Sequence, residues 1–137
     1  CDPIPGIWTR GTGQTNRPEW LMARSYEVFV YGHTGDAVIY RPGLSNVLNF
    51  TGVSQVEKIH EVQKPLELMR ELISRFCLPG QVILDFMSGS GTTIVAALQS
   101  GCNPIGFELS EKNYNNSIVR VAECLKMKDS GRLDLAR

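Results

Sequence analysis

The chain has 137 residues, 42% of them apolar, and its 14 basic and 14 acidic residues leave no formal net charge. That is enough chain for one domain with a real core and too little for two comfortable ones. The evenly mixed charge carries none of the basic footprint of a free-standing nucleic-acid binder, and it excludes no partner by itself.

Cys1, Cys77, Cys102 and Cys124 lie far apart with no Cys-x-x-Cys pair. Neither a zinc site nor a disulfide scaffold is therefore indicated, no metal is expected, and a reduced, cytoplasmic setting is the simplest fit. No apolar run approaches the roughly 18 to 20 residues that a membrane span needs, and nothing resembles a signal peptide. A start at Cys1 rather than methionine, leading at once into CDPIPGIWTRGTGQTNRP, is what a piece of a longer protein would show.

Taken in chain order, the first 24 or so residues have little periodicity and many turn formers, so a surface loop is expected. Ser25 to Tyr31 (SYEVFVY) and Ala37 to Tyr40 (AVIY), separated by Gly32-His33-Thr34-Gly35-Asp36, predict a β-hairpin. Val47 to Phe50 reads as another short extended piece, followed by a polar linker from Thr51 to Gln63. Pro65 fits the first turn of a helix whose Leu66, Met69, Leu72, Ile73 and Phe76 recur at helical spacing until Pro79-Gly80.

Val82-Ile83-Leu84 has the continuous apolar character of a parallel strand covered on both faces. A glycine turn then leads into a helix over Thr92 to Gln99, ended by Ser100-Gly101. Pro104 to Glu108 is a second strand closed by an acid. Ser110 can cap a last helix, with Tyr114, Ile118, Val121, Ala122 and Leu125 on one face and a fraying tail after Met127. This order predicts an α/β fold, a partial Rossmann-like doubly wound sheet with an N-terminal β-hairpin region. The expected organisation is a single domain over 1–137: loop and strands over 1–59, a βαβ region over 60–128, and a tail.

The turn itself, Asp85-Phe86-Met87-Ser88-Gly89-Ser90-Gly91-Thr92-Thr93, suits no phosphate. A nucleoside triphosphate loop needs a lysine beside its glycines, and this loop has none. A dinucleotide turn would carry a third glycine where Ile94 stands, and Asp85 would repel the pyrophosphate. A ligand bearing positive charge meets both objections: an acid at the strand end pairs with an ammonium, while glycines let the ligand lie against bare backbone. S-adenosylmethionine has that ammonium, a sulfonium, and a ribose whose hydroxyls need an acceptor. Glu108 ends the next strand, close to the roughly 20 residues downstream expected of a ribose-binding acid. Taken singly, each feature has a structural reading too: a tight turn, a capping Asp85, a solvated Glu108.

These residues resemble the S-adenosylmethionine-dependent DNA amino-methyltransferases, which methylate the exocyclic amine of adenine or cytosine and often serve restriction-modification. Their cofactor motif is typically Asp-Pro-Phe-x-Gly-Ser-Gly-Thr-Thr; Ser88 to Thr93 match it, and Phe86 takes the place of the usual proline. His60-Glu61-Val62-Gln63-Lys64-Pro65 is similar to the family's His-Pro-Thr-Gln-Lys-Pro, which opens a helix beside the cofactor. The strand holding Glu27 is similar to one that precedes this helix in some members. The resemblance implies a cofactor site of Asp85, Phe86, Gly89, Ser90, Gly91, Thr92 and Glu108, joined by His60, Lys64 and Pro65, with DNA as partner. His60 also reads as a loop histidine bonded to backbone, and Lys64 as a solvated helix start.

The family's catalytic element, Asp, Asn or Ser followed by Pro-Pro-aromatic, is absent from the sequence; Asp2-Pro3-Ile4-Pro5 has neither the adjacent prolines nor the aromatic. A chain beginning after that element, inactive alone, is the simplest expectation. A relic binding module and a nicotinamide-dependent oxidoreductase are the alternatives.

Overall fold

The computed structural model describes residues 4–15, 17–54 and 63–130. They divide into two compact units, one from Cys1–Val38 with Pro42–Gly52 and one from Ile39–Arg41 with Val53–Arg137.

The first unit is a three-stranded sheet in the order β2-β1-β3, from β1 (Gly6–Gln14), β2 (Arg24–Phe29) and β3 (Val47–Asn49). β2 runs antiparallel to β1 with Trp8 opposite Glu27, and β3 runs parallel with Trp8 opposite Leu48. Trp8 and Leu48 are its buried apolar side chains among the described residues, and the indole N–H donates to the Phe50 carbonyl at 2.7 Å. The Arg10 guanidinium lies over the indole, 5.3 Å from its centroid, and pairs with Glu27.

This sheet corrects two expectations. Gly6 to Gln14 is a strand rather than a loop, and SYEVFVY pairs with it instead of forming a hairpin with AVIY. The glycines that imitate turn formers have packing reasons. A Cβ on Gly6 would enter the Phe29 ring, within 1.9 Å of its Cζ, and one on Gly13 would meet Ala23 Cβ at 2.7 Å. Gly11, at φ +82, lies where the register shifts between Thr9 and Gln14, as at a bulge. The AVIY segment makes no strand; Tyr40 and the following Arg41, both part of the second unit, donate their amides to the Arg75 carbonyl at 2.9 and 3.3 Å, satisfying the end of a helix in that unit.

The second unit holds α1 (Leu66–Phe76), β4 (Val82–Asp85), α2 (Thr92–Gln99), β5 (Asn103–Gly106) and α3 (Glu111–Asp129). β4 and β5 are parallel and joined through α2, with Leu84 opposite Ile105 and Asp85 opposite Gly106. Together with α1 and α3 they form the expected partial Rossmann-like α/β arrangement. Ile73, Ala96, Ala97 and Cys102 make the core, with Leu66, Met69, Cys77 and Ile83 packed against it. Burying Ile73 contributes roughly 2 kcal/mol. Leu68, outside the expected apolar stripe of α1, is buried as well.

Two faces differ from expectation. Val82 and Leu84 are 63% and 49% exposed, because Ile83 alone of this run turns toward the helices. Among the described residues β4 is thus covered on one side. On α3 the buried residues are Ser117 and Cys124, while Tyr114, Ile118 and Leu125 stand exposed. The physical reason is close approach: a Cβ on Gly91 would lie 3.0 Å from Ser117 Cβ, so this face of α3 meets its neighbour through a small side chain.

Candidate functional site

The parallel pairing brings the carboxyl ends of β4 and β5 together, the place where open α/β sheets receive ligands. The Phe107 N–H donates to the Asp85 carbonyl at 2.9 Å, and the Ser88 N–H donates back to the Phe107 carbonyl at 2.9 Å, so the two strand ends are laced before either turn begins. β5 itself stops at Gly106, and Glu108 lies in the turn beyond it rather than in the strand. Gly106 permits the approach, since a Cβ there would meet Ile94 Cδ1 at 2.7 Å and Ser88 Cβ at 3.2 Å.

Both acids occupy this end of the sheet. Asp85 Oδ1 accepts the Met87 N–H at 3.0 Å, which shapes the chain leaving β4. Its other carboxylate oxygen has no hydrogen-bond partner among the described residues. Glu108 reaches across the turn: Oε2 accepts the Gly89 N–H at 2.7 Å and Oε1 accepts the Ser110 N–H at 2.8 Å. One carboxylate thereby ties the glycine turn to the start of α3.

The glycines have separate tasks. Gly89 at φ +52 and Gly91 at φ +76 occupy the left-handed region, and Gly91 begins α2 without any side-chain cap. The Gly91 N–H donates to the Ser88 carbonyl at 2.8 Å. The side of Gly91 that lacks a Cβ faces Ser117, so its bareness serves the packing of α3.

Ser90 and Thr92 turn inward. Both are buried, and both meet Arg120 of α3, whose Nη1 donates to the Ser90 carbonyl at 2.8 Å, to Ser90 Oγ at 3.2 Å and to Thr92 Oγ1 at 3.2 Å. Burial pushes the Arg120 pKa down, partly opposed by the charge of Glu123. Phe86 goes the other way: it is 69% exposed and stacks on Phe107 with centroids 6.0 Å apart, extending the open side of the sheet.

Lys64 and Pro65 immediately precede α1. Pro65 is buried, stands one position before the helix, and its carbonyl accepts the Met69 N–H at 3.3 Å. His60 lies outside the described residues. The chain-order reading missed Arg120 and Ser117. Their only sequence signal is helical spacing on the polar side of α3, which looks like solvated surface until the turn is placed against it.

Residues 7–119 match the family model described as DNA methylase. A putative methylase, YubD, of Escherichia coli K12 is 39% identical over 72 residues, which are 53% of this chain and 32% of that protein. The type II methyltransferase M.HindIII of Haemophilus influenzae is 38% identical over 77 residues, 56% of this chain and 25% of that protein. The chain therefore spans about a quarter to a third of the length of these curated relatives. Among solved structures, an M1.HpyAVI–SAM complex superposes with a TM-score of 0.72 at 23% identity, over 86% of this chain and 61% of that one. The cytosine-N4-specific PvuII DNA methyltransferase gives 0.66 at 15% identity, over 90% and 55%. At these identities the likeness is one of fold.

Proposed function

The chain belongs to the DNA methylase family of N6 and N4 amino-methyltransferases, and from that premise we propose that it forms the S-adenosylmethionine-binding part of an enzyme methylating an exocyclic amine of adenine or cytosine in DNA. The observation that carries this reading is the pair of acids at adjacent strand ends: Asp85 with an oxygen that no described residue occupies, and Glu108 held in place by two backbone amides.

The donor set suits the proposed group. Asp85 would receive the ammonium of the amino-acid moiety, where an opposite charge is worth most at a half-buried strand end. Glu108 would accept from the ribose hydroxyls, its carboxylate already oriented by the Gly89 and Ser110 amides. The turn from Gly89 to Thr92 would approach through backbone, since the Ser90 and Thr92 hydroxyls are engaged by Arg120. Lys64 and Pro65 would line the α1 side, and His60 completes the proposed set on the family motif alone. When bound, the cofactor supplies an electrophilic methyl on a positively charged sulfur.

This chain's residues would hold that methyl in one place, and such positioning accounts for much of the acceleration of a two-substrate transfer. The target base would have to leave the helical stack to reach it. The Pro-Pro-aromatic element that would hold the amine is not in this sequence, so we assign to the chain the cofactor side of the site and not the base-holding side.

Titration calorimetry with S-adenosylhomocysteine and with NAD, on the chain and on the complete gene product, tests the assignment. Binding of S-adenosylhomocysteine, weakened by Asp85→Asn, is the expected result. Binding of NAD alone would remove it in favour of an oxidoreductase.

A further inference from the structure

We infer that Arg120 is a positioning residue for the cofactor turn, acting from the far side of the turn through the backbone of Ser90 to Thr92. The inference rests on the cofactor reading above and adds a residue to it.

Arg120 comes from α3, about thirty positions downstream of the turn, yet a single guanidinium nitrogen reaches the Ser90 carbonyl at 2.8 Å, Ser90 Oγ at 3.2 Å and Thr92 Oγ1 at 3.2 Å. One helical turn earlier, Ser117 lies against Gly91, where an added Cβ would come within 3.0 Å. Three consecutive turn residues are therefore held by one face of α3. The Gly89 amide of the same turn donates to Glu108. Moving the Ser90 carbonyl rotates the peptide that carries the Gly91 N–H, which donates to Ser88, and displaces Gly89 with it. Ser117 alone can hold the helix against the turn. The guanidinium adds direction, because charged donors of this kind bind tightly and only along their N–H axes.

The charge of Arg120 makes the proposal separable from a field effect. A positive group beneath a site for a cationic ligand opposes binding by Coulomb's law, so its removal would tighten the complex if charge were what mattered. Loss of positioning weakens it.

The test uses Arg120→Met and Arg120→Lys, with binding of S-adenosylmethionine and S-adenosylhomocysteine measured by calorimetry well below the melting temperature of each variant. The expected result is binding on the order of tenfold weaker in Arg120→Met, the equivalent of one lost charged hydrogen bond, with most of the affinity recovered in Arg120→Lys. In the ligand-free protein, the amide resonances of Gly89 and Gly91 shift or broaden in Arg120→Met, while that of Asn113 at the α3 cap does not.

Unchanged or tighter binding in a folded Arg120→Met overturns the proposal and leaves the cofactor reading intact. A native protein that binds neither compound removes both. If Arg120→Met does not fold, the cycle of Ser90→Ala with Arg120→Gln decides: non-additive losses in affinity support the proposal, and additive ones overturn it.

Discussion

Gly91 meets two demands at one position, and they can be measured apart. Its backbone sits at φ +76 and its missing Cβ leaves room for Ser117 at 3.0 Å, whereas Gly80, at φ +86 in the same unit, has nothing within 4 Å. Gly80→Ala should therefore cost only the left-handed conformation, about 1 kcal/mol. Gly91→Ala should cost about 2 to 3 kcal/mol, because overpacking against α3 is added. Urea unfolding of both variants checks this, and equal losses would mean that α3 yields freely. The roles proposed for Asp85 and Glu108 come from their residue types and positions after apolar runs. What each acid holds was not legible there: that Glu108 ties Gly89 to Ser110 depends on the two strand ends lying side by side. Arg120 was illegible for the same reason, since an arginine on a polar helix face carries no mark of a target some thirty residues away.

At the scale of elements, local signals worked where the partner was local. The run from α1 through β4, α2 and β5 to α3 follows helical spacing, apolar runs and breakers in the sequence, and the Ser110 cap forms as its position implies. Its Oγ accepts the Asn113 N–H at a long 3.4 Å. Ser110→Ala should thus lie at the low end for a lost cap, about 0.5 kcal/mol, in chemical denaturation. A loss above about 2 kcal/mol would exceed what a cap supplies and would show that the hydroxyl has another role. The first strand failed the same kind of reading. Gly6 and Gly13 are spaced like turn residues, but they are small because Phe29 of β2 and Ala23, just before it, lie against them. A cross-strand partner between 10 (Gly13 to Ala23) and 23 (Gly6 to Phe29) residues away has no signature in the strand itself. The exposed faces of β4 and α3 carry a related lesson: apolar spacing finds a stripe, and packing decides which stripe is covered.

At the scale of the molecule, burial of thiols links the second unit's core to pH. Burial pushes the pKa of Cys77, Cys102 and Cys124 up; for Cys102 the charge of Cys77 adds to it, and for Cys124 Lys128 opposes it. A thiol whose folded pKa is raised keeps its proton while the unfolded chain loses its own, so its contribution is full below the unfolded value and is lost as pH rises toward the folded one. Stability should accordingly fall above about pH 8.5, followed by chemical denaturation across the alkaline range, and the fall should shrink in Cys102→Ala relative to its own neutral-pH stability. No helix among the described residues is long and apolar enough to cross a membrane.

Taken alone, the sequence determined the family, because DFMSGSGTT is a contiguous stretch, and its charge and missing lysine are what point the proposed cofactor turn toward a cationic ligand by local chemistry. It also determined the order of helices and strands from Pro65 onward. Only the tertiary structure decided that β1 is a strand, which face of α3 is buried, and that Arg120 bonds to the turn. Each of these depends on a partner distant in the chain. Such a partner enters through close approach and hydrogen-bond direction, quantities that exist only once the strands and helices have been brought together.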